Sequence, residues 1–212
     1  MGVEPVFTGI VQTTGRIVAV EPLGFGRRLV IEAPALGLDD VQVGDSIAVN
    51  GACMTVTARS AGNFSIDVSA ESLSKTAGLD AMGEVNLEKA MRFGDRVDGH
   101  LVSGHVDGTG IVHTMEQVGE SWSFIVDAPA ELARYLAYKG SVAVNGVSLT
   151  VNRVEDVAAG TAQACCRIWI NLIPHTIEVT TLRDLKPGDR VNLEVDMIAR
   201  YLERMLPAAL RG

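Results

Sequence analysis

The chain contains a large part of itself twice. Ser46–Thr57, SIAVNGACMTVT, reappears 95 positions later at Ser141–Asn152 as SVAVNGVSLTVN, with seven of the twelve positions identical. At the same offset Phe7–Gly15, FTGIVQTTG, matches Val102–Gly110, VSGHVDGTG, and Ala33-Pro34-Ala35 matches Ala128-Pro129-Ala130. The register therefore holds without a gap from Phe7 to Thr57. Extra residues enter the second copy around Asp156–Cys166, after which Phe64–Leu73 matches Ile168–Ile177 and Glu84–Lys89 matches Arg190–Val195. A period this long is a duplicated domain, not the unit of a solenoid. Whatever fold one half adopts, the other must adopt too, and 212 residues leave about 100 for each.

Each half reads as β. Arg28–Glu32, Ser46–Val49, Met54–Thr57, Phe64–Val68 and Val85–Glu88 are short, β-branched and alternating, with Gly, Asn, Asp and Pro between them. Asn50-Gly51 and Asn145-Gly146 are tight-turn signals, because both residue types tolerate positive φ. About six short strands per half suit a small closed Greek-key barrel, which leaves no open sheet edge. The expected fold is all-β: tandem duplicated six-stranded Greek-key β-barrels with a C-terminal α-helix. The expected division is 1–97, 98–195 and a tail, 196–212. Short helical pieces are expected near Ala70–Thr76 and Glu131–Tyr138, and a link between the halves near Met91–Gly99. In the tail, Met197–Leu206 places Tyr201, Leu202, Met205 and Leu206 on one stripe with Met197 or Ile198. That stripe can pack on its own barrel or join copies of the chain.

Composition excludes several classes. A net charge of −8 argues against a nucleic-acid surface, which needs clustered Lys and Arg. No apolar run approaches the ~20 residues that span a bilayer, so no membrane partner is expected. The start, MGVEPV, lacks a basic-then-apolar signal pattern. Three cysteines, two of them adjacent (Cys165 and Cys166), do not make a disulfide framework. The expected compartment is the reducing cytoplasm.

Individual residues support chemistry less firmly. His100 and His105 flank LVSG; five apart on a strand they would point to opposite faces. No Cys or carboxylate completes a ligand set at a usual spacing, so no metal is expected. His105 stands where the first half has Ile10, and a lone imidazole there could act as acid or base near neutral pH. Cys53 and Ser148 share one repeat position. A buried Cys behaves as a small hydrophobe, and Ser148 beside Thr150 could be a plain pair of strand hydroxyls. No GxSxG elbow precedes Ser148. Thr55 and Thr150 place hydroxyls at the same point of each half, which suits a small heteroaromatic ligand. Lys139 reads as a surface lysine and Asp196 as a solvated residue or a cap for the tail helix. Two similar pockets suggest two copies of one ligand.

Taken together, FTGIV at Phe7–Val11, NGACMTV at Asn50–Val56, DGHLVSGHVDG at Asp98–Gly108, YKGSVAVNGVSLTVN at Tyr138–Asn152 and NLIPHTIEVTTL at Asn171–Leu182 resemble riboflavin synthase of the α-chain type. The resemblance runs from Phe7 to Leu206. It implies two six-stranded Greek-key barrels and a C-terminal helix that holds a homotrimer. It implies that two molecules of 6,7-dimethyl-8-ribityllumazine dismutate by transfer of a four-carbon unit, giving riboflavin and 5-amino-6-ribitylaminouracil without cofactor or metal. Each site would form between the N-terminal barrel of one subunit and the C-terminal barrel of its neighbour, with one lumazine per barrel. Lumazine synthase would be a further partner.

By the same resemblance the N-terminal pocket would use Gly9, Ile10, Val11, Cys53, Met54 and Thr55, with Asp67, Val68, Ser69, Ala70, Glu71 and Ser72. The C-terminal pocket would use Gly104, His105, Val106, Lys139, Ser148, Leu149 and Thr150, with Asn171, Leu172, Ile173, Pro174, His175 and Thr176. Ser148 and His105 would handle protons and supply or activate the nucleophile. Ser46, Cys53, Thr150 and Asp196 would be polar members of the site, and Phe7 would approach the neighbouring one. Orienting two rings face to face would supply much of the rate. Unequal pockets are expected, since donor and acceptor need different help. Three departures stand out: five extra residues precede Val6-Phe7, Asn145 replaces an Asp of some relatives, and the second barrel carries the insert. The alternative is a carrier that binds lumazine or flavin without turnover; a reductase barrel would need a nucleotide domain this chain lacks.

Overall fold

The computed structural model describes residues 5–158 and 164–206. Twelve strands form two closed antiparallel barrels. The first is built from β1 (Thr13–Leu23), β2 (Gly26–Glu32), β3 (Ser46–Val49), β4 (Ala52–Arg59), β5 (Asn63–Val68) and β6 (Gly83–Lys89), in the order β1-β2-β5-β4-β3-β6. The second repeats that order with β7 (Gly108–Val118), β8 (Ser121–Pro129), β9 (Ser141–Val144), β10 (Val147–Val157), β11 (Cys165–Leu172) and β12 (Arg190–Val195). Both halves are thus the expected six-stranded Greek-key barrels. Helix α1 (Ala70–Lys75) follows β5, α2 (Pro174–Val179) follows β11, and α3 (Met197–Met205) closes the described chain. The piece expected near Glu131–Tyr138 is a 3-10 turn at Ala130–Tyr135.

Alternation decides which side chains enter the barrels. Along β4, Ala52, Met54 and Val56 are buried while Cys53, Thr55 and Thr57 are not; along β10, Val147, Leu149 and Val151 are buried while Ser148 and Thr150 are not. Each interior is filled by aliphatic side chains around one phenylalanine, Phe64 in the first barrel and Phe124 in the second. Burying such a side chain contributes about 1.5–3 kcal/mol. The strands bend to close the barrels at bulges, and these recur at the repeat offset: Ile17/Ala19 and Val112/Thr114, Val56/Ala58 and Val151/Arg153. The insert lengthens β10 and β11, so Cys165 and Cys166 are strand residues paired with Pro129 and Ala128. Its middle, 159–163, lies outside the described residues.

The barrels meet at their Asn-Gly turns across a pseudo-twofold axis. Asn50 and Asn145 hold φ of 46° and 48°, and a Cβ on Gly51 would sit 2.6 Å from the Gly146 nitrogen. Two further asparagines tie the turns together. Asn86 donates from Nδ2 to the Asn145 carbonyl (2.9 Å) and from its backbone N–H to Asn50 Oδ1 (2.8 Å). Asn192 mirrors it, donating to the Asn50 carbonyl (2.9 Å) and to Asn145 Oδ1 (2.8 Å). All four side chains are buried, and an amide is the side chain able to give and take hydrogen bonds at once. Asn145 is therefore part of the inter-barrel joint.

Candidate active site

The segments before the barrels each reach the strand-turn-strand of the other barrel. The Phe7–Val11 segment crosses to the second barrel, and the Val102–Val106 segment crosses to the first. Gly9 accepts the backbone N–H of Ser148 at 2.7 Å, and Gly104 accepts that of Cys53 at 2.8 Å. Val11 packs against the core of the second barrel and Val106 against that of the first. Phe7 and Val102 pair where the segments pass, with N–H to carbonyl distances of 2.7 and 3.0 Å.

This exchange regroups the expected pockets. Gly104, His105 and Val106 belong with Cys53 and Met54, and Gly9, Ile10 and Val11 with Ser148, the reverse of the expected grouping. The physical reason is that neighbours in sequence pack across the axis rather than within their own half. Gly9 and Gly104 adopt φ of 73° and 76°, and a Cβ on them would lie 2.7 and 2.6 Å from Cβ of Ser148 and Cys53. Only glycine fits such a close approach at positive φ.

One pocket is a cavity of about 370 Å³ lined by Cys53, Met54, Glu71, Ser72, Gly104, His105 and Val106. Helix α1 stands over it because Ser69 caps the helix, its Oγ accepting the Ser72 N–H at 3.0 Å. Burial pushes the Cys53 thiol up; the adjacent Ser46 hydroxyl acts the other way and the Glu194 charge adds to the rise. Cys53 is thus a thiol rather than a thiolate at neutral pH. Ser46 also borders a separate cavity of about 510 Å³ with Lys89, Asp40 and Arg92.

The matching repeat position on the second barrel carries different chemistry. Ser148 Oγ lies 2.7 Å from His100 Nδ1. Burial lowers the His100 pKa, opposed by the Asp196 charge, so the ring is neutral at neutral pH and can accept a proton. Its Nε2 is buried without a hydrogen-bond partner among the described residues. His100 does not lie on a regular strand beside His105; the crossing segment sends the two rings to different pockets. Comparing Ile10 with His105 alone does not point to His100. The usable signal was its repeat partner, Pro5, since Pro5/His100 and Cys53/Ser148 change polarity together.

The remaining expected residues scatter around these two centres. Met54, Val68, Leu149 and Leu172 are buried side chains of the barrel cores. Asp67 is paired with Arg28 at 2.7 Å. Ala70, Thr55 and Thr150 are exposed, as are Asn171, Ile173, Pro174 and His175, with Thr176 half-buried. Lys139 is exposed and donates to Asn152 Oδ1 at 2.9 Å. Asp196 caps α3 by accepting the Ile198 N–H at 2.9 Å. Phe7 is 0% exposed, enclosed with Ala48, Val102 and Ala143 at the axis, and Cys53 packs against this cluster. Among the described residues no group of three or more His, Cys, Asp or Glu side chains is placed to hold a metal ion, and no helix is long and apolar enough to cross a membrane.

Comparison with known proteins agrees with this architecture. The lumazine binding domain family model matches twice, at residues 8–90 and 103–196. The chain is 43% identical over 209 residues to riboflavin synthase of Mycobacterium tuberculosis, covering 96% of this chain and 99% of that protein. It is 42% identical over 202 residues to riboflavin synthase of Photobacterium phosphoreum, covering 94% and 88%. Among solved structures, LumP complexed with 6,7-dimethyl-8-(1'-D-ribityl) lumazine has a TM-score of 0.74 at 25% identity, covering 89% of this chain and 98% of that one. LumP complexed with riboflavin gives 0.75 at 26%, with the same coverage.

Proposed function

The chain belongs to the riboflavin synthase family, and on that premise we propose how its two unlike pockets divide the reaction. It is a transferase that dismutates two 6,7-dimethyl-8-ribityllumazine molecules to riboflavin and 5-amino-6-ribitylaminouracil, moving a four-carbon unit from one to the other. The observation that carries the division of labour is that one fold repeats with different polar groups: Cys53 with His105 at a cavity of the first barrel, and Ser148 hydrogen-bonded to His100 at the matching place on the second.

The donor lumazine must lose a proton from its 7-methyl group, and the acceptor must take a nucleophile. The neutral His100 ring, held against Ser148 Oγ, can draw the hydroxyl proton and so make Ser148 a nucleophile or a proton relay. Cys53, kept as an uncharged thiol, suits close packing and hydrogen bonding to a ring better than proton abstraction. His105 lines the same cavity, where its ring nitrogens can hydrogen-bond the ligand. Residues 1–97 and 98–195 would each bind one lumazine.

The two rings must meet, and they would do so between a barrel of one subunit and a barrel of its neighbour. Helix α3 supports a homotrimer. Its polar face is tied to the second barrel by Arg200 to Asp107 (2.6 Å) and Arg134 to Glu203 (3.2 Å), leaving Ile198, Tyr201, Leu202 and Met205 exposed in one stripe. A cytoplasmic location follows from the cysteine usage, and lumazine synthase as a partner from the family resemblance. A carrier reading draws on the LumP fold, but identity to the synthases is far higher and both pockets retain polar groups. Purified protein given 6,7-dimethyl-8-ribityllumazine alone should produce riboflavin, seen by absorbance and chromatography. Stoichiometric binding with no riboflavin would sink the enzyme reading.

A further inference from the structure

Glu88 and Glu194 are buried carboxylates that do not line the Cys53 cavity, and Glu88 borders another of about 500 Å³ with Thr8 and Ile10. They are 5% and 3% exposed, and among the described residues neither lies within ion-pair distance of a cation. Burial pushes both pKa values up, opposed by the hydrogen bonds they accept. Leaving a carboxylate dry without a counter-ion is costly, yet this chain does so twice, at corresponding positions of its halves.

Both carboxylates make the same three bonds. Glu88 Oε1 accepts the Thr8 N–H (2.7 Å) and hydroxyl (2.6 Å), and Oε2 accepts the Gly9 N–H (3.0 Å). Glu194 Oε1 accepts the Ser103 N–H (2.6 Å) and hydroxyl (2.8 Å), and Oε2 accepts the Gly104 N–H (2.9 Å). Each therefore grips the segment that crosses to the other barrel, one bond short of the pocket. The contacts close into a ring. Glu88 lies opposite Ala48 and Ala48 opposite Cys53; Cys53 bonds Gly104, which bonds Glu194. Glu194 lies opposite Ala143 and Ala143 opposite Ser148; Ser148 bonds Gly9, which bonds Glu88.

We propose that Glu88 and Glu194 are positioning residues, each setting the wall of the pocket on the opposite barrel: Glu194 through Gly104 onto Cys53, and Glu88 through Gly9 onto Ser148 and His100. This rests on the functional reading above for the identity of the pockets, but not for the geometry. A carboxyl group suits the role, because its two oxygens can accept both backbone N–H groups while sharing a hydrogen bond with the hydroxyl. Glutamine keeps the size but turns an NH₂ toward one of them. His100 is included because its backbone N–H donates to the Thr8 carbonyl at 3.1 Å.

The test uses the full chain and needs no turnover. Glu194→Gln should speed alkylation of Cys53 by iodoacetamide, followed by peptide mass spectrometry, by about fivefold, the factor set by one lost hydrogen bond. Ser103→Ala, a milder change, should move it the same way by less. Glu88→Gln should leave Cys53 near the wild-type rate and instead shift the His100 imidazole resonances. In both Gln variants riboflavin binding should weaken. Equal acceleration at Cys53 in Glu88→Gln and Glu194→Gln would show general loosening and overturn the proposal, as would a wild-type rate in Glu194→Gln and Ser103→Ala together. If wild-type protein makes no riboflavin, the functional reading fails while the alkylation result still stands.

Discussion

His100 Nδ1 and Ser148 Oγ are 2.7 Å apart, although 48 residues separate them and the first half of the chain has proline and cysteine in their places. This pair is what most clearly distinguishes one pocket from its duplicate. Ser148→Ala and His100→Ala should each slow riboflavin formation by about 10²-fold, the scale of a lost acid–base contribution, with circular dichroism unchanged. The double variant should be little worse than either single one, since the two groups act as a unit. Steady-state rates near wild type would remove the pair from the mechanism.

The same histidine gives a pH signature. Burial lowers its pKa from the ordinary 6.5, so the unfolded chain binds the proton first as pH falls. The resulting stability is complete above the unfolded value and is lost as pH falls from 6.5 toward the folded one. Urea unfolding across that window should show the loss in wild type and a smaller one in His100→Asn. Turnover should persist below pH 6.5 and fall only when His100 itself protonates.

Gly104→Ala tests the close approach on Cys53. The added methyl would meet Cys53 Cβ at 2.6 Å on a left-handed backbone, for a cost of about 1–3 kcal/mol. Chemical denaturation should register it, and riboflavin affinity should fall with it. Gly24→Ala, where nothing lies within 4 Å of the added atom, should cost less through φ alone and leave ligand affinity intact.

The asparagine joint makes a stability prediction. Asn86→Ala strands the Asn145 carbonyl and the Thr181 N–H, which Asn86 Oδ1 accepts at 2.8 Å. The expected loss is about 2–4 kcal/mol from two buried groups left unpaired. It should be seen as a lowered Tm or as separate melting of the two barrels by calorimetry. A melting curve superimposable on wild type would show that the joint carries no weight.

Leu202→Glu places a charge in the exposed stripe of α3. Light scattering should show the proposed trimer weakened while the barrel fold, by circular dichroism, stays as it was. Removing Met197–Gly212 should do the same more completely. An unaltered trimer in both would refute the helix's proposed role.

Local pattern was enough to reveal the two barrels, because a duplicated, period-two hydrophobic alignment with Asn-Gly turns leaves few other ways to bury both halves. It also placed Cys53 and Ser148 at matching positions, since β alternation directs both out of their cores. Motif resemblance brought in the ligand and the reaction. What sequence order could not show was which segment completes which pocket. Gly9 and Gly104 each sit beside residues of the opposite half, because Glu88 and Glu194 hold the crossing segments across the axis. The same crossing sends His100 to Ser148 and His105 to Cys53, though only LVSG lies between them, and buries Phe7 at the axis. Repeat and alternation are properties of neighbours along the chain; the pockets are made by contacts between residues that only the folded pair of barrels brings together.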